Sequence, residues 1–245
     1  MSRAGWIPAV LFAASVSLFL VTASVAWAFN DAGVYRGGFQ KYRVSETTGI
    51  TATDLRQVAA DLRHYFNSNE EPLLVRTKVF GVEQDIFGQR EVLHMRDVKR
   101  LVWWVYAVAA VTGLYLIGAT TVGLVYRRRQ FATTLARQLL WGGGLTVALI
   151  LAVGLFALAG FDTLFLKFHQ LSFSNDLWQL GRQSYLLRLF PQGFWFDATM
   201  RVARTTLAGA VVLILVSAGY LLRHRWTGRK AAEEPIATLE EAREV

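Results

Sequence analysis

Four stretches of this chain are long enough and apolar enough to cross a bilayer, and they limit the possible folds more than any other feature. They run over residues 6–29, 101–126, 139–160 and 202–222. A helix needs roughly 20 mostly apolar residues to traverse the hydrocarbon layer. Lipid offers no water to the backbone, so an open strand is not viable there and each stretch is expected to be helical. The second stretch opens with Leu101-Val102-Trp103-Trp104 and closes at Tyr126, placing aromatics where membrane helices meet headgroups. Charged residues make up 18% of the chain, against about a quarter in a soluble domain. The expected class is an all-α membrane protein, one integral domain with four transmembrane helices.

Charge gives the direction of the spans. Arg127, Arg128, Arg129 and Arg137 lie between spans two and three with no acid among them. Arg223, Arg225, Arg229 and Lys230 follow span four, and Arg3 precedes span one. All three sites fall on one side of a four-span chain, and the positive-inside rule makes that side cytoplasmic. The loop 127–138, the tail 223–245 and the N-terminus are therefore expected inside, and residues 30–100 and 161–201 outside. The net charge of +8 is then topogenic, and nucleic acid is not an expected partner. No Asp, Glu or Lys stands near a span centre, which argues against an ion-coupled transporter. Gly113, Gly118, Gly123, Gly142 to Gly144 and Gly209 fit close helix packing. Ala26-Trp27-Ala28 resembles a signal-peptidase site, but the apolar run is long and its n-region holds only Arg3, so span one reads as an uncleaved anchor. Cysteine is absent, which excludes disulfides, thiolate metal sites, a Cys nucleophile and lipidation of the chain itself.

The outward segments carry the local signals. Residues 30–50 are polar and contain Gly37-Gly38, a loop signature. Thr53 to Phe66 reads as an amphipathic helix with Leu55, Val58, Leu62 and Phe66 on one face and Thr53 as N-cap. Residues 73–90 suit a short hairpin or an irregular apolar segment, with helix resuming from Glu91 into span two. Phe161 to Trp195 is dense in aromatics and fits an interfacial stretch at headgroup level, ended by Pro191.

Topology sorts the histidines. His224 sits in the Arg cluster after span four, and His64 on the polar face of the amphipathic helix. His94 and His169 remain, each within a few residues of a span on the outward side. Asp97 follows His94 at i+3, one helical face, and could orient its imidazole. His94 precedes Leu101 by seven positions, roughly 10 Å at ~1.5 Å per residue, which is the depth of glycerol ester carbonyls. Two histidines meeting there form a candidate acid–base pair. The plainer reading is an interfacial histidine bonded to phosphate or to a backbone carbonyl. A zinc site of His94, Asp97 and His169 is a further alternative, without an HExxH motif behind it. No GxSxG supports a serine hydrolase.

Three motifs carry a family resemblance. His94-Met95-Arg96-Asp97-Val98-Lys99, then Phe168-His169-Gln170-Leu171-Ser172-Phe173-Ser174-Asn175-Asp176-Leu177-Trp178, then Phe190-Pro191-Gln192-Gly193-Phe194-Trp195 resemble the bacterial lipoprotein intramolecular transacylase (Lit) family of four-span proteins. The chain departs from it after Trp178, where Gly181-Arg182-Gln183-Ser184 replaces the family's usual Pro and Asp. The resemblance implies an enzyme of the bacterial cytoplasmic membrane with its site on the outer face. Its substrate would be a diacylated lipoprotein, whose sn-2 acyl chain moves to the protein's own N-terminal α-amine to give the lyso form. It implies no cofactor and no metal. His94 and His169 map onto the family's histidines. His94 is expected to act as base with Asp97 stabilising its imidazolium, and His169 and Asn175 to meet the oxyanion. Asn175, Asp176, Trp178, Lys99 and Arg96 are the expected substrate-binding residues. Membrane lipid is the other expected partner. The readings that compete with this are a non-catalytic binding or chaperone module and a metal-dependent intramembrane hydrolase.

Overall fold

The computed structural model describes residues 6–241, with side chains throughout except those of residues 129 and 228–241. Arg3 and the side chains of Arg129, Arg229 and Lys230, expected among the cytoplasmic charges, lie outside the described residues. The elements in chain order are α1 (Trp6–Asn30), α2 (Ala32–Lys41), α3 (Val44–Thr48), α4 (Ala52–Asn67), β1 (Arg76–Val79), β2 (Val82–Asp85), α5 (Gln89–Arg128), α6 (Gln130–Ser172), α7 (Tyr185–Leu189) and α8 (Gln192–Glu241). Four of these, α1, α5, α6 and α8 to Thr227, are long and apolar enough to span a membrane. The chain is an all-α multi-pass membrane protein, as its hydropathy implies.

α5 and α6 form a hairpin. A straight helix from His94 to His169 would be about 110 Å long at the α-helical rise. Their rings lie 6.2 Å apart, so the chain reverses between them. It does so at Arg128, whose φ of 43° and ψ of −124° break the helix. A second break at Gly160 (φ −177°, ψ 78°) re-aims α6 before it runs on to Ser172. The uninterrupted apolar stretch of α5 begins at Leu101 and that of α6 stops at Gly160. His94 and His169 lie beyond them, on helical extensions.

The spans pack through small and hydroxyl residues. Gly142 lets α6 approach α1 so closely that a Cβ there would stand 2.7 Å from Val16 Cβ and 3.0 Å from the Ala13 carbonyl oxygen. At the same crossing Ser17 Oγ donates to the Gly142 carbonyl at 3.1 Å, and Thr146 Oγ1 donates to Ser17 Oγ at 2.9 Å. Lipid provides no hydrophobic drive between helices, so van der Waals contact and such bonds hold them.

Residues 32–87, with α7 and the start of α8, fold as a cap over one end of the bundle. Its core contains Tyr35, Phe39, Ile50, Leu55, Val58, Leu62, Phe66, Leu186, Leu189, Phe190 and Phe194, joined by Met95 and Val102 of α5. The amphipathic helix expected from the apolar pattern is α4, with Leu55, Val58, Leu62 and Phe66 inward. Its cap is Thr51, whose hydroxyl accepts from Asp54 N, two residues before the expected Thr53. The apolar 73–90 segment contains the hairpin β1–β2, closed by Phe80-Gly81, both at positive φ as a type I′ turn demands.

Residues 30–50 are not a loop. They form α2 and α3, and Gly38 is small for packing: a Cβ there would stand 2.3 Å from the Phe194 ring. The aromatic 161–195 segment likewise begins as helix, since α6 continues to Ser172. Polar bonds fasten cap to bundle. Trp103 Nε1 donates to Phe66 O at 2.8 Å, Lys99 Nζ to Glu70 O at 2.6 Å, and Lys41 Nζ to Asp197 Oδ2 at 2.6 Å.

Candidate active site

The candidate site lies on the seam between cap and bundle. α5 brings His94 there in its second turn, with Met95 beside it in the cap core. α6 brings His169 from the opposite direction, one turn before its end. The two rings are 6.2 Å apart with 31° between their planes.

Aromatic rings enclose the pair. Phe173 meets His94 edge-on at 5.1 Å. Phe165, Phe168, Phe173 and Trp178 lie 4.3, 5.3, 5.6 and 5.4 Å from His169. His94 is 6% exposed. Burial, and after it the neighbouring His169, push its pKa down to about 4, against the opposite pull of the Asp97 carboxylate. Burial lowers His169 as well, while its hydrogen bond to the Phe165 carbonyl acts the other way. Both imidazoles are therefore neutral at physiological pH.

Their hydrogen bonds differ. His169 Nδ1 lies 2.8 Å from the Phe165 carbonyl oxygen. A carbonyl only accepts, so Nδ1 carries the proton and Nε2 keeps its lone pair. His94 Nδ1 is buried without a partner, so no neighbour dictates its tautomer. Asp97 does not bond to it. The Asp97 carboxylate accepts from Asn175 Nδ2 at 2.9 Å and faces Arg100 at 3.5 Å, so it acts on His94 through its field and not through contact.

Among the expected site residues, His94, His169, Asp97, Asn175 and Trp178 gather at the seam. Asp176 is held there through its backbone, its carbonyl accepting from the Arg90 guanidinium. Arg96 and Lys99 face elsewhere, since steps of two and five residues turn them about 200° and 140° around the helix from His94. Lys99 stacks 4.1 Å from the Tyr65 ring and borders a cleft of about 470 Å³ with Glu71, Arg100, Trp103 and Trp104. His64 pairs with Glu70 at 3.2 Å on the cap surface. No group of three or more His, Cys, Asp or Glu able to hold a metal occurs among the described residues.

Residue-by-residue reading missed Glu91. It is buried one turn before His94, and Oε2 accepts from Gly88 N at 2.7 Å while Oε1 accepts from Leu186 N at 2.8 Å and from Ser184 Oγ. A carboxylate three residues after the residue that opens a helix is a capping signature, and the Gly88-to-Glu91 spacing carried that signal.

Comparison with known proteins agrees with this architecture. A protein of Aquifex aeolicus (strain VF5) described as uncharacterized is 30% identical over 117 residues, which are 48% of this chain and 50% of that protein. The chain thus spans about half of that relative's length. The membrane integral lipoprotein intramolecular transacylase Lit from Bacillus cereus has the same fold, with a TM-score of 0.76 and 16% identity over 93% of this chain and all of that one. A structure of that protein with one histidine replaced by arginine matches at a TM-score of 0.70, again at 16% identity, over 90% of this chain and 92% of that one. The family model for lipoprotein intramolecular transacylase Lit matches residues 10–195, a region that includes residues 32–87, both histidines, α5, α6, α7 and most of α1. On that match the chain belongs to the lipoprotein intramolecular transacylase Lit family.

Proposed function

We infer that this protein moves the sn-2 acyl chain of a diacylglyceryl-modified lipoprotein onto the α-amine of the same lipoprotein's N-terminal cysteine. The observation that carries this reading is the pair of neutral imidazoles, 6.2 Å apart in an aromatic enclosure at the end of a membrane bundle. Family membership supplies the reaction class, and the geometry supports a division of labour.

The amine nitrogen attacks the ester carbonyl carbon, a C–N bond forms, and the ester C–O bond breaks. One proton must travel from the nitrogen to the departing glycerol oxygen. His169 is the better acceptor, because Phe165 holds its Nδ1–H and leaves the Nε2 lone pair free. His94, the residue first expected as base, suits the acid side. Its lowered pKa makes its imidazolium the stronger acid, so the proton that His169 takes up passes to His94 and from there to the departing alkoxide. An unbound His94 N–H and the second Nδ2 proton of Asn175 are the donors for the oxyanion. The Asp97 charge steadies a transient imidazolium. Trp178 and Asn175 are the substrate-facing residues of the enclosing segment.

Both reactants belong to one molecule, so no acyl-enzyme is needed. Well-oriented intramolecular reactions reach effective molarities of about 10⁵–10⁸ M, and the protein's task is to fold the substrate and exclude water. We place the protein in the cytoplasmic membrane of a bacterium, termini and Arg128 turn inside, site outside. In support, His94 is 34 residues from that turn, about 50 Å along the helix.

Expression in a bacterial host lacking such an enzyme tests the reading. Mass spectrometry of one lipoprotein's N-terminus should show an N-acylated lyso form only when the protein is present. An unchanged diacyl N-terminus, with the protein in the membrane, contradicts it.

A further inference from the structure

His94 is 6% exposed and is covered by Phe173, the first residue of the strap 173–184 that joins α6 to α7. Phe173 and Trp178 of this strap press on the two imidazoles. The strap is tied to α5 at both ends, by ties of different character. At the α7 end, the Glu91 carboxylate, 8% exposed, accepts from Ser184 Oγ, Leu186 N and Gly88 N. That end continues into Leu186 and Leu189 of the cap core. At the α6 end, one bond of 2.9 Å joins the exposed Asn175 to Asp97, and Arg90 reaches the Asp176 carbonyl. Positions 90, 91, 94 and 97 share one helical stripe, and His94 stands on it between Glu91 and Asp97.

The buried tie is costly to break, because each donor it frees loses its partner away from water. The exposed tie trades a side-chain bond for water at little cost. Resting on the acyl-transfer reading, we propose that Glu91 is a positioning residue. Its carboxylate anchors one end of the strap, so that the Asn175 end lifts for substrate and closes again in register over His94 and His169.

Closure decides which nucleophile reaches the ester. With the strap closed, the amine attacks the carbonyl carbon, the C–O bond breaks, and the amine's proton ends on the glycerol oxygen, giving an amide. With the strap loose, water attacks the same carbon, the same bond breaks, and a free fatty acid leaves with the same alcohol. The ratio of free fatty acid to N-acyl product therefore reads how well the strap closes.

The test uses the full chain in nanodiscs with a synthetic diacylglyceryl-cysteine lipopeptide, both products quantified by mass spectrometry. Glu91→Gln should raise the fatty-acid ratio about tenfold, the scale of one charge-assisted hydrogen bond. Ser184→Ala should raise it less, and the double variant should be no worse than Glu91→Gln alone. An unchanged ratio in Glu91→Gln overturns the proposal, whether both products form at the wild-type rate or slow together. If Glu91→Gln does not fold, Ser184→Ala alone decides by the same ratio. A wild-type protein that forms neither product brings down the acyl-transfer reading itself, an outcome distinct from an active wild type with an unaltered variant.

Discussion

The cap and the bundle differ in the residues they bury. In the cap the inward side chains are large and apolar, Ile50, Val58, Leu62 and Leu189 among them. In the bundle the buried residues are mostly small or hydroxyl-bearing, Ser17, Thr146, Thr206, Ala210 and Ser217 among them beside Phe12 and Val16, while Leu114, Ile117, Leu155 and Leu215 point outward. Only 11% to 22% of each spanning window is buried. Each region is folded by its own solvent: water drives the apolar faces of the cap together, and lipid leaves the spans to close packing and interhelical hydrogen bonds. The histidine pair lies where the regimes meet, with the cap drying it and the helices aligning it.

Six substitutions test this contrast. The largest effect belongs to the seam. His169→Ala and His94→Ala should each lower N-acyl product formation about 10²–10⁴-fold, the range of general acid–base catalysis, with unchanged melting of the helices. Wild-type turnover in either variant would remove that histidine from the chemistry. Next, Leu62→Ala in the cap should cost about 3 kcal/mol through transfer and cavity terms, read from the denaturation midpoint in detergent. The lipid-facing Leu114→Ala should cost less than about 0.5 kcal/mol. Equal costs would erase the distinction between the regions.

Gly142→Ala probes the bundle from the other side. The added Cβ meets Val16 and the Ala13 carbonyl, and overpacking should cost about 1–3 kcal/mol. An indifferent stability would mean that α1 and α6 are not packed through this glycine. Milder inside the bundle is Thr146→Val, which loses the bond to Ser17 and should cost about 0.6 kcal/mol, typical of an interhelical hydrogen bond in a membrane. A cost like that of Leu62→Ala would show the bundle relying on polar bonds as heavily as the cap relies on apolar burial.

What could be read from the residues follows the same division. The spans were legible because lipid demands long uncharged stretches, and α4 because water demands an apolar face of helical period. Residues 30–50 were misread because Gly37-Gly38 signals a loop when only local conformation is considered. The reason for Gly38 is Phe194, 156 positions away, and no local pattern reveals a contact of that kind. His94 and His169 stood out as chemistry-bearing residues with the same predicted depth. The partner of Asp97 did not, because an i, i+3 spacing gives proximity without hydrogen-bond geometry, and Asn175 arrives from another element. Glu91 stood only as the point where helix resumes, and its bond partners on the strap are 93 and 95 residues distant.

The proposed reaction draws both the acyl chain and the amine from one lipoprotein molecule, with the paired histidines moving the proton between them. A crossover measurement addresses it directly. Two lipopeptides are mixed with the nanodisc-held protein, one with a heavy-isotope sn-2 chain on a light peptide and one with a light chain on a heavy peptide. N-acyl products should keep their parental pairing, formed by the wild type and absent with His169→Ala. Mixed heavy and light pairings, or the same products from His169→Ala, would contradict it.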